Sequence, residues 1–125
     1  MKTEVGSFTA VAPGTSTILL TDTSLVVKGI IFHITSNQTT IAELSTGFSD
    51  AIKHRSESIA SNASKFESKR STSEITHYRI TGGSTMTKVL GFTLPSTSFA
   101  TAGQFDVNVA TLVGSVSVDF MVYGV

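Results

Sequence analysis

The sequence contains no cysteine and no tryptophan, and only 14% of its residues are charged. Without cysteine there is no disulfide framework, no thiolate nucleophile and no Cys-based zinc site, and redox chemistry assigns no compartment. Lysine plus arginine number nine and aspartate plus glutamate nine, so the formal net charge is zero. A protein that grips a phosphate backbone needs a basic excess, and none exists here. Nucleic acid is therefore not an expected partner. The opening MKTEVGSFTAVAPG has one lysine, the acidic Glu4 and no sustained apolar run, which reads as neither a signal peptide nor a membrane span. At 125 residues the chain suits one domain, 1–125, with a single core that buries roughly two-thirds of the unfolded surface.

Serine and threonine together exceed a quarter of the chain. Threonine, valine, isoleucine and phenylalanine favour strands and the ten glycines supply turns, whereas Glu, Lys, Leu and Gln, the strong helix formers, are scarce. The charges are unevenly spread. Ten of the eighteen lie between Asp50 and Arg79, and after Lys88 only Asp106 and Asp119 are charged.

The stretch Ser115–Val125, SVSVDFMVYGV, organises the rest. Val116, Val118, Phe120 and Val122 share one face of an extended strand, and Ser117, Asp119, Met121 and Tyr123 the other, a period of two that no helix can use. Ending the chain, this strand is expected to close the domain between earlier strands. Val5–Val11, Thr17–Leu20, Leu25–Thr35, Thr40–Leu44, Glu74–Thr81, Thr87–Leu94 and the run from Phe105 to Val109 read as further strands, with turns at Pro13-Gly14, Ser36-Asn37-Gln38, Gly82-Gly83-Ser84 and Pro95-Ser96. Gly47, in Ser45–Asp50, is expected at a positive φ or a bulge.

Residues 50–70 give two readings. Ile52, Ile59, Ala63 and Phe66 recur at near-heptad spacing behind Ser49, a candidate helix cap. The serines of 56–68 compete for backbone hydrogen bonds and argue for a long polar loop. With seven to nine short strands and no βαβ alternation, the expected fold is all-β, an antiparallel β-sandwich of jelly-roll-like character carrying a short helix or long loop at 50–70. A small closed barrel is the alternative.

VVKGIIFHIT (Val26–Thr35), STGFSD (Ser45–Asp50), LGFTL (Leu90–Leu94) and the closing VDFMVYGV, taken in that order, resemble small β-domains of phage tail and other virion structural proteins. The resemblance implies a non-enzymatic, usually oligomeric virion component (tail, fibre or capsid decoration), sometimes one that contacts the host surface. The sequence itself holds neither the shaft nor the coiled coil of a full tail fibre.

Candidate chemistry is thin. His33, His54 and His77 stand in no HExxH or i, i+4 arrangement, so no metal or other cofactor is expected. Glu43 and Asp50 form a conceivable carboxylate pair, but Asp50 after Gly-Phe-Ser is more simply an Asx-turn residue. Gly82-Gly83-Ser84-Thr85 lacks the Lys of a phosphate loop. No enzyme is expected. The favoured function is assembly into a homo-oligomer, a ring or trimer, together with other virion proteins. A nearly neutral surface resists association poorly, and Met121 and Tyr123 point away from the core face of their strand. Lys65, Lys69 and Arg70, interleaved with Glu67 and Glu74, read as a solvated face able to dock an acidic neighbour. The competing function is a lectin-like module contacting host-surface glycans through His54, Arg55, His77, Tyr78 and Arg79, which can supply ring stacking and bidentate hydrogen bonds. The absence of tryptophan weighs against it.

Overall fold

The final strand sits where the alternation of Ser115–Val125 places it, between two earlier ones. In the computed structural model, which describes the chain except for residues 36–41, 63–64 and 82–84 (and only the backbone of 42 and 81), the strands are β1 (Lys2–Ala10), β2 (Gly14–Leu19), β3 (Val27–Thr35), β4 (Ala42–Asp50), β5 (His54–Asn62), β6 (Lys65–Ser71), β7 (Ile75–Thr81), β8 (Thr85–Thr93), β9 (Gln104–Leu112) and β10 (Val116–Gly124), with one 3-10 turn at Ser96–Phe99. They form a six-stranded sheet ordered β1-β10-β3-β4-β5-β6 and a four-stranded sheet ordered β2-β9-β8-β7, antiparallel throughout. The fold is an all-β sandwich. As in a jelly roll, the first strand pairs with the last and the second with the penultimate; between these pairs the chain runs as two meanders, β3 to β6 and β7 to β9.

The core follows from the alternation. Val116, Val118, Phe120 and Val122 are buried, while Ser117, Asp119 and Met121 face outward. Phe32 meets Phe92 edge-on at 5.0 Å between ring centres, Phe105 meets Phe120 likewise at 5.0 Å, and Phe8 bridges to Phe92 at 5.9 Å. Edge-to-face pairs of this kind add about 1 kcal/mol each beyond their buried area. They join β1, β3 and β10 of one sheet to β8 and β9 of the other.

Residues 50–70 are neither helix nor long loop. They form a turn at 50–53 and most of a hairpin, β5 and β6. The alternation that specifies β5 is one of size and charge rather than hydrophobicity: Ser56, Ser58 and Ala60 face inward, and Arg55, Glu57 and Ile59 alternate with them. The serines are buried because they bond across the sandwich, Ser56 Oγ donating to the Glu74 carbonyl (2.9 Å) and Ser58 Oγ to the Thr76 carbonyl (2.8 Å). The near-heptad marks fall on the surface, with Ile52 85% and Phe66 70% exposed, and Ala63 lies outside the described residues.

Gly47 also differs from expectation. Positive φ occurs at Gly14, Gly103 and Gly114 instead, and Gly47 lies in regular register with Phe32 and Ser56. A Cβ there would sit 2.8 Å from Ile75 Cδ1, so the Ile75 side chain of β7 packs into the space that a larger residue would take. The turns read at Ser36-Asn37-Gln38 and Gly82-Gly83-Ser84 fall outside the described residues. Phe92 is fully buried and contacts two other rings, so Phe92→Ala should lower unfolding free energy by about 3–5 kcal/mol in chemical denaturation.

Candidate functional site

Two features stand out, one inside the sandwich and one on its surface. Where β4 and β5 face β7, the interior turns polar. On β4 it is Glu43, Ser45 and Ser49 that are buried, whereas Leu44 is exposed and Phe48 half-buried. The His77 ring lies between Ser45 and Glu43, with Nδ1 2.6 Å from Ser45 Oγ and Nε2 3.1 Å from Glu43 Oε2. Arg79 Nε donates to Glu43 Oε1 at 2.8 Å, and Ser45 Oγ lies 2.7 Å from Ser58 Oγ. Among the described residues no buried side-chain polar atom lacks a hydrogen-bond partner.

Arg79 Nε donates to one carboxylate oxygen of Glu43 and a carboxylate can only accept, so the ring donates from Nε2 to the other. Nδ1 of a neutral ring then accepts the Ser45 hydroxyl proton, so Ser58 Oγ shares its single proton between Ser45 Oγ and the Thr76 carbonyl. Burial pushes the His77 imidazolium below the ordinary histidine value, with Glu43 pulling the opposite way and Arg79 adding to the depression. Hydroxyl, imidazole and carboxylate in series match the parts of a hydrolase triad. Ser45 is nevertheless only 1% exposed and its oxygen meets Ser58, where a nucleophile would have to meet a substrate. The geometry is that of a polar tie between two sheets.

The surface feature is a row crossing the outer face of the six-stranded sheet. Val5 stands opposite Met121, Met121 opposite Ile31, Ile31 opposite Phe48, and Phe48 opposite Arg55. Directly opposed residues on one face are within side-chain contact, so the four apolar members form a continuous band over β1, β10, β3 and β4. Val5, Ile31 and Met121 are exposed. Tyr123 flanks the band, its ring occupying the space a Cβ on Gly29 would need.

Met121 and Tyr123 thus lie outward as the alternation implies. β5 and β6 extend the sheet sideways instead of folding over this face. Arg70 belongs to the same outer face, paired with Glu57 at 3.4 Å, but four strands from β10. Lys65, bonded to Glu67 at 2.8 Å, and Lys69 occupy the other phase of β6. The three cations do not join the Met121 surface.

Of the glycan candidates His77 and Arg79 meet on Glu43, but the five form no common surface. His77 is buried, Arg79 is committed to Glu43, His54 bonds Ser49, Arg55 ends the outer row and Tyr78 is half-buried on β7 beyond a register shift. Asp50 accepts the backbone N–H groups of Ile52 and Lys53, both at 2.7 Å, which hold its carboxyl below the usual range; this is the Asx turn, at the far end of β4 from Glu43. Among the described residues no three His, Asp or Glu side chains gather as a metal site. Sequence reasoning missed the Glu43–His77–Arg79 tie and the Val5, Ile31 and Phe48 members of the row. The signal for the row was present in the strand alternation once register is known. No protein-family model matches the chain, and neither a curated protein nor a solved structure matches it.

Removing one partner of a buried ionic tie leaves the others uncompensated. Glu43→Ala should therefore cost about 3 kcal/mol or more in denaturant unfolding. His77, with its folded value depressed, binds a proton less readily than in the unfolded chain. Stability should accordingly fall as pH drops below about 6.5. The melting temperature of the wild type should decline from pH 7 to 5, and His77→Gln should flatten that decline; a wild-type curve already flat there would show that the folded value of His77 is not depressed.

Proposed function

We propose that the chain is a structural subunit of a bacteriophage virion, a tail, fibre or capsid-decoration component, that works by assembling with copies of itself and with other virion proteins rather than by catalysis. The observation that carries the assembly reading is the outward apolar row Val5–Met121–Ile31–Phe48, exposed at its first three members. A contiguous apolar band on a small protein marks a contact surface. The whole sheet face that carries the row is of suitable size: its six strands, about 4.8 Å apart and about 30 Å long, present on the order of 800 Å², the share per partner in a standard stable interface. The near-neutral surface acts in the same direction, since little like-charge repulsion opposes close packing.

Assignment to a virion rests on the resemblance of Val26–Thr35, Ser45–Asp50, Leu90–Leu94 and the β10 segment to phage β-domains. The lectin-like reading loses its support with the dispersal of His54, Arg55, His77, Tyr78 and Arg79, and a ring or trimer of this chain is the preferred form. Met121→Asp combined with Tyr123→Ser tests the reading. The double variant should keep a strand-type circular dichroism spectrum yet sediment as a monomer at concentrations where the wild type is oligomeric; a wild type that stays monomeric at high concentration overturns the proposal.

A further inference from the structure

The sandwich has two open sides, and the sequence treats them differently. On one side the edges are β6 and β7. β6 carries Lys65, Glu67, Lys69 and Arg70 among its seven residues, the charged protection that keeps an unpaired strand from recruiting another. On the other side the edges are β1 and β2, and from Val5 to Leu20 the sequence VGSFTAVAPGTSTILL has no charged residue at all.

The two charges earlier in β1 are already engaged. Glu4 accepts the backbone N–H groups of Thr21 and Asp22, at 2.7 and 2.9 Å, and Lys2 pairs with Asp22 at 3.1 Å. What remains at this side is apolar or hydroxyl-bearing, with Val5 74% and Leu19 76% exposed. Every second residue of β1 turns its N–H and C=O away from β10, and among the described residues no strand receives them.

We infer that β1 is a strand-addition edge that pairs antiparallel with β1 of a second copy, joining two six-stranded sheets into one continuous sheet. The inference rests on the assembly reading and specifies a contact within it. A second copy is the occupant the chemistry fits. An antiparallel strand is self-complementary about a two-fold axis, so one uncharged run meets its own equivalent with no like charges opposed. A charged ligand would find no side chain of opposite sign between Val5 and Leu20. The same rotation carries Val5 toward its copy, so the apolar row continues across both subunits, and it brings β2 toward its copy, which covers Leu19. Face contact and edge contact use separate surfaces of the same sheet, and together they build an assembly larger than a dimer.

The chain has no cysteine of its own, which makes single-cysteine cross-linking clean. Val5→Cys, Ser7→Cys and Thr9→Cys sample the outward phase of β1, and Ser68→Cys on β6 serves as the control. A disulfide needs Cα atoms about 4.4–6.8 Å apart, so mild oxidation should give a covalent dimer in high yield from at least one β1 position and none from Ser68→Cys. In parallel, Ser7→Lys with Thr9→Lys places on β1 the protection β6 already has. This variant should keep its strand spectrum and sediment as a smaller species than the wild type. If the wild type is oligomeric but no β1 cysteine cross-links and the lysine variant assembles unchanged, the edge inference is wrong while the assembly reading stands. A wild type that is monomeric throughout removes both.

Discussion

Insertion of β10 between β1 and β3 is the constraint on which the rest of the sandwich depends. Among the described residues β1 has no strand neighbour in its sheet other than β10, and the end of β10 is fixed by reciprocal backbone bonds between Val26 and Val125 at 2.8 and 3.1 Å. Until β10 arrives, β1 has no ladder and the inward face of β3 has no Phe120 or Val122 beside it. The pairings β1–β10 and β2–β9 both join residues about a hundred positions apart, so loop-closure entropy must be spent before either contact stabilises anything. Slow folding of the kind seen for non-local β topologies follows. The local meanders β3–β6 and β7–β9 supply the early structure onto which the chain ends close.

The parts legible in the sequence were those where hydrophobic alternation and burial agree. β10 is the clearest instance, because Val116, Val118, Phe120 and Val122 are larger and more apolar than what alternates with them, and a one-residue slip would expose all four. Strand content, antiparallel arrangement and the outward aim of Met121 follow from that single pattern. The expectation over 50–70 failed because the inward residues of β5 are Ser56, Ser58 and Ala60. Their burial depends on hydrogen bonds to the backbone of β7, a partner whose proximity only the tertiary fold decides. Local propensity had no term for it.

β4 shows the same limit in stronger form. On hydrophobicity Leu44 and Phe48 would point inward and Glu43, Ser45 and Ser49 outward, yet the reverse holds. The register with β3 puts Gly47 beside Phe32, and the Ile75 side chain of β7 occupies the space that a Cβ there would take. The neighbouring inward positions then face His77, Arg79 and the hydroxyls of β5. A carboxylate buried in such a place is tolerable only with its charge matched and its lone pairs occupied. Arg79 and His77 do both.

This inversion links the interior of the molecule to its surface. If β4 followed the hydrophobic pattern, Phe48 would lie in the core, and the outer row would end at Ile31 over three strands. Turning Glu43 and Ser45 inward turns Phe48 outward, because side chains on a strand alternate without exception in regular register. The band from Val5 to Phe48 is therefore a consequence of the polar tie beneath it. The arrangement is costly on both sides of the sheet, a buried ion pair below and exposed apolar surface above, and the second cost is not offset within a solitary subunit. A partner that covers the row offsets the second. The first is met internally by Arg79 and His77, so a change that breaks the tie acts on stability, whereas under the assembly proposal a change confined to the outer row acts on association.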